Sequence, residues 1–189
     1  HRHGPPRGDR VTRPSHTESG TEVTKPGAED IPDVMLELGG KNANLVLPDA
    51  DIKKAVEGSD QGIFNNQGQA CANASRLYVH DDIYDEFMQR FVSKIEEMTI
   101  GPGTDDATDL APLASQKQYD KVTGYIETGK QEGASVIHEG AVPNDLPDGY
   151  YVPPVVFGDV TREMRITREE IFGPVLTVQR FESIENAME

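Results

Sequence analysis

The stretch Arg76-Leu77-Tyr78-Val79-His80, followed by Asp81 to Ile95 (DDIYDEFMQRFVSKI), decides the class of fold. The first five residues read as a strand. From Ile83 the period changes, because Ile83, Phe87, Phe91 and Ile95 recur at four-residue spacing, supported by Tyr84, Met88 and Val92. That spacing builds one apolar face of an amphipathic helix. Asp81 or Asp82 offers the carboxylate that would cap it.

The same alternation extends in both directions. Upstream, Val34-Met35-Leu36-Glu37-Leu38 is an apolar run closed by Gly39-Gly40, as in a buried strand that ends in a tight turn. Leu45-Val46-Leu47 is a second short strand, stopped by Pro48. Asp49 is placed to cap a helix that carries Ile52, Ala55, Val56 and Ile63 and reaches Phe64. Downstream, residues 101–114 form a Gly-, Asp- and Thr-rich loop. Ser115 opens a helix with Tyr119, Val122, Tyr125 and Ile126 facing inward, and Gly133 ends it. Ala134 to Ile137, Val155 to Phe157 and Gly173 to Val178 supply further strands. Strands alternating with helices predict an α/β layered domain with a mostly parallel sheet.

Residues 1–30 stand apart. Gly, Pro, His and Arg crowd the start, and neither a helical nor a strand period runs through the stretch. It reads as a disordered or unrelated arm, with the organised domain over 31–189. The chain has 189 residues and a net charge of −15. Residues 1–30 contribute five basic and five acidic groups, so the whole excess lies in 31–189, with 13 basic against 28 acidic. Such a balance argues against nucleic acid or anionic membrane as a partner. The apolar runs fall far short of the ~20 residues that cross a bilayer. One cysteine, Cys71, excludes an intramolecular disulfide and any multi-cysteine metal site. A reduced, cytoplasmic compartment is the expectation.

Three patches could carry chemistry. Cys71 follows Phe64-Asn65-Asn66-Gln67-Gly68-Gln69-Ala70, which is polar and irregular. A cysteine often ends buried as a small hydrophobe, but a thiol on an irregular segment can meet a ligand and act as a nucleophile. Glu37 sits at a strand end, where α/β sheets bind ligands. Burial there would suit a general base, and an edge strand would leave it a solvated carboxylate. Arg168-Glu169-Glu170-Ile171-Phe172-Gly173-Pro174-Val175 offers two carboxylates for a sugar diol and a flat ring, or merely solvated charges ahead of a strand. His80 and His138 stand alone, and no metal site or phosphate loop is read.

Taken together, these patches resemble the signatures of the NAD(P)-dependent aldehyde dehydrogenase superfamily. Leu36-Glu37-Leu38-Gly39-Gly40-Lys41-Asn42 is similar to its glutamate motif, and Phe64-x-x-x-Gly68-Gln69-x-Cys71 to its cysteine motif downstream. Glu169-Glu170-Ile171-Phe172-Gly173-Pro174-Val175 is similar to its third signature. The resemblance covers residues 31–189 and implies the family's three-layer catalytic domain. It implies Cys71 as nucleophile and Glu37 as general base in oxidising an aldehyde to a carboxylic acid with NAD or NADP, through a thiohemiacetal and a thioester. It further implies that Glu170 holds the nicotinamide ribose, that Phe172 lies against the cofactor, and that Leu38 and Gly39 line the nicotinamide approach. Asn42 belongs to the motif without a catalytic step.

Full-length members add a dinucleotide-binding domain before the glutamate motif and an oligomerisation segment near the C-terminus, and they form homo-oligomers. The resemblance therefore implies a truncated catalytic domain. Its alternative is an inactive relic or interaction module that keeps the fold without binding cofactor.

Overall fold

Apolar side chains alternate along the strands, and the alternation sorts them onto two faces of one sheet. Val156, Leu176 and Val178 pack with Phe64, Phe87 and Phe91, whereas Val155, Phe157 and Val175 pack with Val122 and Ile126. Successive residues of a strand point to opposite faces, so helices cover the sheet on both sides. This is the expected three-layer α/β arrangement. The structure, a computed structural model, describes residues 10–14, 21, 24, 25 and 33–188. It divides into two units, His1–Gly40 and Lys41–Glu189.

In the first unit, β1 (Arg10–Pro14) pairs in parallel with β2 (Asp33–Glu37), with Pro14 opposite Glu37. Two expectations change here. Arg10–Pro14 is a strand although its sequence carries no apolar alternation, because pairing with β2 supplies the backbone hydrogen bonds that a pattern of side chains would otherwise have signalled. The expected strand forms over Asp33–Glu37, yet its described side chains are not buried: Met35 is 48% exposed, Leu36 is half-buried, and Glu37 is exposed, as is Leu38 just beyond it. The boundary between units falls after Gly40, inside the glutamate motif.

The second unit holds β3 (Ala43–Val46), α1 (Ile52–Phe64), β4 (Arg76–His80), α2 (Asp81–Glu96), α3 (Gln116–Gln131), β5 (Ser135–Glu139), β6 (Val155–Gly158), α4 (Arg165–Arg168), β7 (Val175–Phe181) and α5 (Ile184–Met188). Strand order is β3-β4-β7-β6-β5, all parallel except β5, which runs antiparallel to β6. Phe87, Phe91 and Ile95 of α2 are buried on the face read from their spacing.

The helix caps refine the reading by one or two residues. Pro48 and Asp49 are used up in a turn closed by Ala50 N–H to the Leu47 carbonyl, so Asp51 caps α1 by accepting from Lys54 N–H at 3.2 Å. β4 runs into α2 with no intervening loop, which leaves His80 as the cap. Its Nδ1 accepts from Asp82 N–H at 3.2 Å, and Nε2–H donates to the Glu182 carbonyl at 3.0 Å. Asp81 and Asp82 instead occupy the first turn, where carboxylates favour the positive end of the helix dipole. Ser115 caps α3 as expected, accepting from Gln118 N–H.

Phe91 stacks between Phe64 and Phe87 with no exposure, so Phe91→Ala should lower unfolding free energy in urea by about 3–5 kcal/mol. Asp51→Ala removes one exposed cap and should cost about 1 kcal/mol. Equal losses for the two variants would contradict this core.

Candidate active site

After Phe64 closes α1, the chain makes a tight turn over Asn65–Gly68 in which Asn66, Gln67 and Gly68 have φ of 52°, 57° and 74°. Three successive residues in the left-handed region are costly unless the surroundings hold them. Asn66 carries a local remedy: its carbonyl accepts from Gln69 N–H at 2.9 Å, and its Nδ2–H donates to the Gln69 carbonyl at 3.0 Å. Gly68 carries the decisive constraint. A Cβ there would overlap the backbone carbonyl of Gly173, and a Cβ at Gly173 would run into the buried Val122 of α3. Two glycines thus let the cysteine segment lie directly on the third motif.

The residues beyond the turn are pinned by side-chain amides. Asn73 Nδ2–H donates to the carbonyls of Ile63 and Asn65, and Ala74 N–H donates to that of Gly62. These are carbonyls that the end of α1 leaves without intrahelical donors. Gln69 Oε1 accepts from Ala114 N–H at 3.1 Å. Asn42 Nδ2–H donates to the Cys71 carbonyl at 2.7 Å, and the Asn42 carbonyl accepts from Arg76 N–H at the start of β4. Cys71 itself lies in a turn with an exposed, free thiol. The buried alternative for this cysteine therefore falls away.

The third motif is equally fixed. Phe172 has φ of 64°, and its carbonyl and that of Ile171 accept from Gln118 Nε2–H at 2.7 and 3.1 Å. Its ring stays half-buried. The two carboxylates part company. Glu169 accepts a two-pronged contact from Arg165 Nε and Nη2 at 3.0 and 2.9 Å, and Tyr125 OH donates to Oε2 at 2.5 Å. Those hydrogen bonds hold its pKa down at about 2. Glu170 is half-buried, and its charge bears on Lys41 and Lys121. Lys41 is pushed down to about 8, first by burial and then by Arg76, against the opposing pull of Glu170.

Cys71, Glu170 and Phe172 thus belong to the second unit. Glu37, Leu38 and Gly39 belong to the first, where all three are exposed at and just beyond the end of β2. The burial considered for Glu37 is not present in that unit. Sequence reasoning left three positioning residues without a role: Asn42, Asn73 and Gln118. Asn73 lies two residues past the cysteine and Asn42 inside a motif, so their amides were visible. Gln118 reads only as a polar position of α3.

An α/β domain with an exposed cysteine on a glycine-fastened turn defines the class, and comparison with known proteins gives the family. The model of the aldehyde dehydrogenase family matches residues 6–189, and the chain belongs to that family. The match begins within the stretch 1–30 that the sequence set apart. Hydroxyisobutyraldehyde dehydrogenase of Mycolicibacterium austroafricanum is 47% identical over 177 residues, covering 93% of this chain and 35% of that protein. The NAD+ complex of aldehyde dehydrogenase from Bacillus cereus superposes with a TM-score of 0.88 at 42% identity, over 95% of this chain and 36% of that one. A 3,6-anhydro-L-galactose dehydrogenase solved with NADP gives 0.90 at 32% identity, over 95% and 38%. The chain spans little more than a third of the length of these relatives. Among the described residues no helix is long and apolar enough to cross a membrane.

Gly68→Ala meets both a positive φ and the Gly173 backbone, and should destabilise by roughly 2–4 kcal/mol. Gly124→Ala in α3, with open space around it, should be neutral or stabilising by about 0.5–1 kcal/mol. Urea unfolding of the two variants checks the contrast.

The depressed pKa of Glu169 adds stability that is complete above its unfolded value of 4.5 and lost as pH falls toward about 2. With the side chain 40% exposed, Glu169→Gln should cost on the order of 1 kcal/mol at neutral pH. The difference from wild type should close across that acid window, and a pH-independent difference would contradict the assignment.

Proposed function

We propose that the chain is the catalytic part of an NAD(P)-dependent aldehyde dehydrogenase that oxidises a small aldehyde to its carboxylic acid, with Cys71 as nucleophile and Glu37 as general base. The observation that carries this reading is the exposed thiol of Cys71 on a turn pinned by Gly68, Asn42 and Asn73. Asn42, in the same motif as Glu37, donates to the Cys71 carbonyl, which supports joint work by the glutamate and cysteine motifs.

In this mechanism the Cys71 thiolate forms a C–S bond to the aldehyde carbon, and the C=O π pair moves onto oxygen. The backbone N–H of Cys71 donates to that oxyanion. NAD(P)+, when bound, would supply the hydride acceptor. Once hydride has left, the oxyanion pair re-forms C=O and leaves a thioester on Cys71. Glu37 takes a proton from water, the resulting hydroxide attacks the thioester, and the C–S bond breaks to release the acid and regenerate the thiolate.

The residues of the third motif fit a nicotinamide nucleotide. The resemblance assigns the ribose diol to Glu170, whose half-buried carboxylate can accept from both hydroxyls. Phe172 is held by its backbone rather than by its ring, which leaves the ring half-exposed as an apolar surface for the cofactor. Leu38 and Gly39, also exposed, are assigned to the nicotinamide approach. A cytoplasmic location and a homo-oligomeric parent protein complete the proposal, with no nucleic-acid or membrane partner.

An activated ester tests both catalytic roles without cofactor. p-Nitrophenyl acetate should acylate Cys71 of the native chain, seen by intact mass, and Cys71→Ser should abolish the adduct. Glu37→Gln should leave acylation in place and slow its hydrolysis at least about tenfold. Equal acylation of native and urea-unfolded chain, with no effect of Glu37→Gln, would overturn the reading.

A further inference from the structure

Away from the cysteine, the face of β4 and β7 that carries Arg76, Tyr78 and Gln179 opens onto a cavity of about 270 Å³. Tyr78 and Gln179 stand opposite each other in the ladder, and Lys41, Arg162 and Arg168 close the sides. Four cationic side chains therefore line one cavity, with no carboxylate among the described lining residues, in a chain whose net charge is −15. Among the described residues, Lys41 Nζ and Arg76 Nε are buried without a hydrogen-bond partner. Buried donors of this kind ordinarily have an acceptor.

The charges of Glu170 and Glu169 bear on Lys41, but among the described residues no carboxylate hydrogen-bonds Lys41 Nζ or Arg76 Nε. Arg165 is spent on Glu169, and Arg180, on the adjoining surface, is paired with Asp81 and Asp85. Glu163, exposed and outside the lining, has its carboxyl held below the usual range first by a hydrogen bond from Thr161 and then by its own backbone N–H, with Arg162 and Arg168 as the smallest contributions. Among the described residues, Lys41, Arg76, Arg162 and Arg168 form no ion pair shorter than 4.0 Å. Guanidinium groups converging with an ammonium match the oxygens of a phosphate group, which accepts several charge-assisted hydrogen bonds at once.

We propose that this cavity binds a phosphate group, either as the free ion or as a small phosphomonoester. The ligand sits between the Lys41 ammonium and the Arg76, Arg162 and Arg168 guanidiniums. The site lies wholly within the second unit.

Titration of the isotopically labelled chain with inorganic phosphate tests the proposal, with sodium chloride at matched ionic strength as control. Backbone and side-chain resonances of Arg76, Tyr78 and Gln179 should shift and saturate with phosphate, and not with chloride. Glycerol phosphate in a parallel titration separates the sources: tighter binding identifies a phosphomonoester, and equal or weaker binding identifies the free ion. The double variant Arg162→Gln/Arg168→Gln removes two exposed side chains, and should weaken binding at least about tenfold while the melting temperature without phosphate stays unchanged. Arg90→Gln, on α2, should bind as wild type does. Shifts reproduced by chloride, no saturation, or full affinity in the double variant would each overturn the site.

Discussion

The approach of Gly68 to the Gly173 carbonyl is the constraint on which the rest of the candidate site depends. No other residue pair lets the backbone after α1 lie on the backbone before β7, and the sheet cores fix both ends of that contact. Phe64 and Ile63 anchor α1 in one core, while Ile171 and Val175 anchor the third motif in the other. The left-handed turn at Asn66 and Gln67 is thereby over-determined from both sides. Strain that would unfold an isolated loop is held here by two hydrophobic layers and by amides aimed at orphan carbonyls.

The same contact explains why residues far apart in sequence work as one group. Asn42 reaches the Cys71 carbonyl from one motif, Asn73 returns to the end of α1, and Gln118 holds Phe172 from α3. Each is a neutral side chain bonded to backbone, so the arrangement depends little on pH or salt. Charge enters at the periphery, where Arg165 and Tyr125 hold Glu169. Glu169 is held by hydrogen bonds from α3 and α4, and the charge of Glu170 bears on Lys41 and on Lys121 of α3.

Much of this was legible in the sequence. Phe87, Phe91 and Ile95 announced α2 through their period, and β4 and the Ser115 cap fell where composition put them. The glycines of both motifs were visible too, although their mutual contact was not. Closeness between residues 68 and 173 is a property of sheet order, and strand order β3-β4-β7-β6-β5 has no local signature. The caps of α1 and α2 moved because a turn at Pro48 and the absence of a loop at His80 decide which residue meets the first free N–H. β1 was missed because Arg10–Pro14 has no apolar alternation. The exposure of β2 escaped notice because an apolar run looks the same whether or not another layer covers it.

Amide hydrogen exchange at the cysteine turn tests most directly whether the fold presets the proposed nucleophile. Gln69, Asn73 and Ala74 donate to the carbonyls of Asn66, Ala70 and Gly62. Their amides should therefore exchange far more slowly than in the unfolded chain, alongside those of α1. Exchange of these three at unfolded-chain rates, while α2 stays protected, would mean that the turn is not held and that Cys71 has no preset geometry.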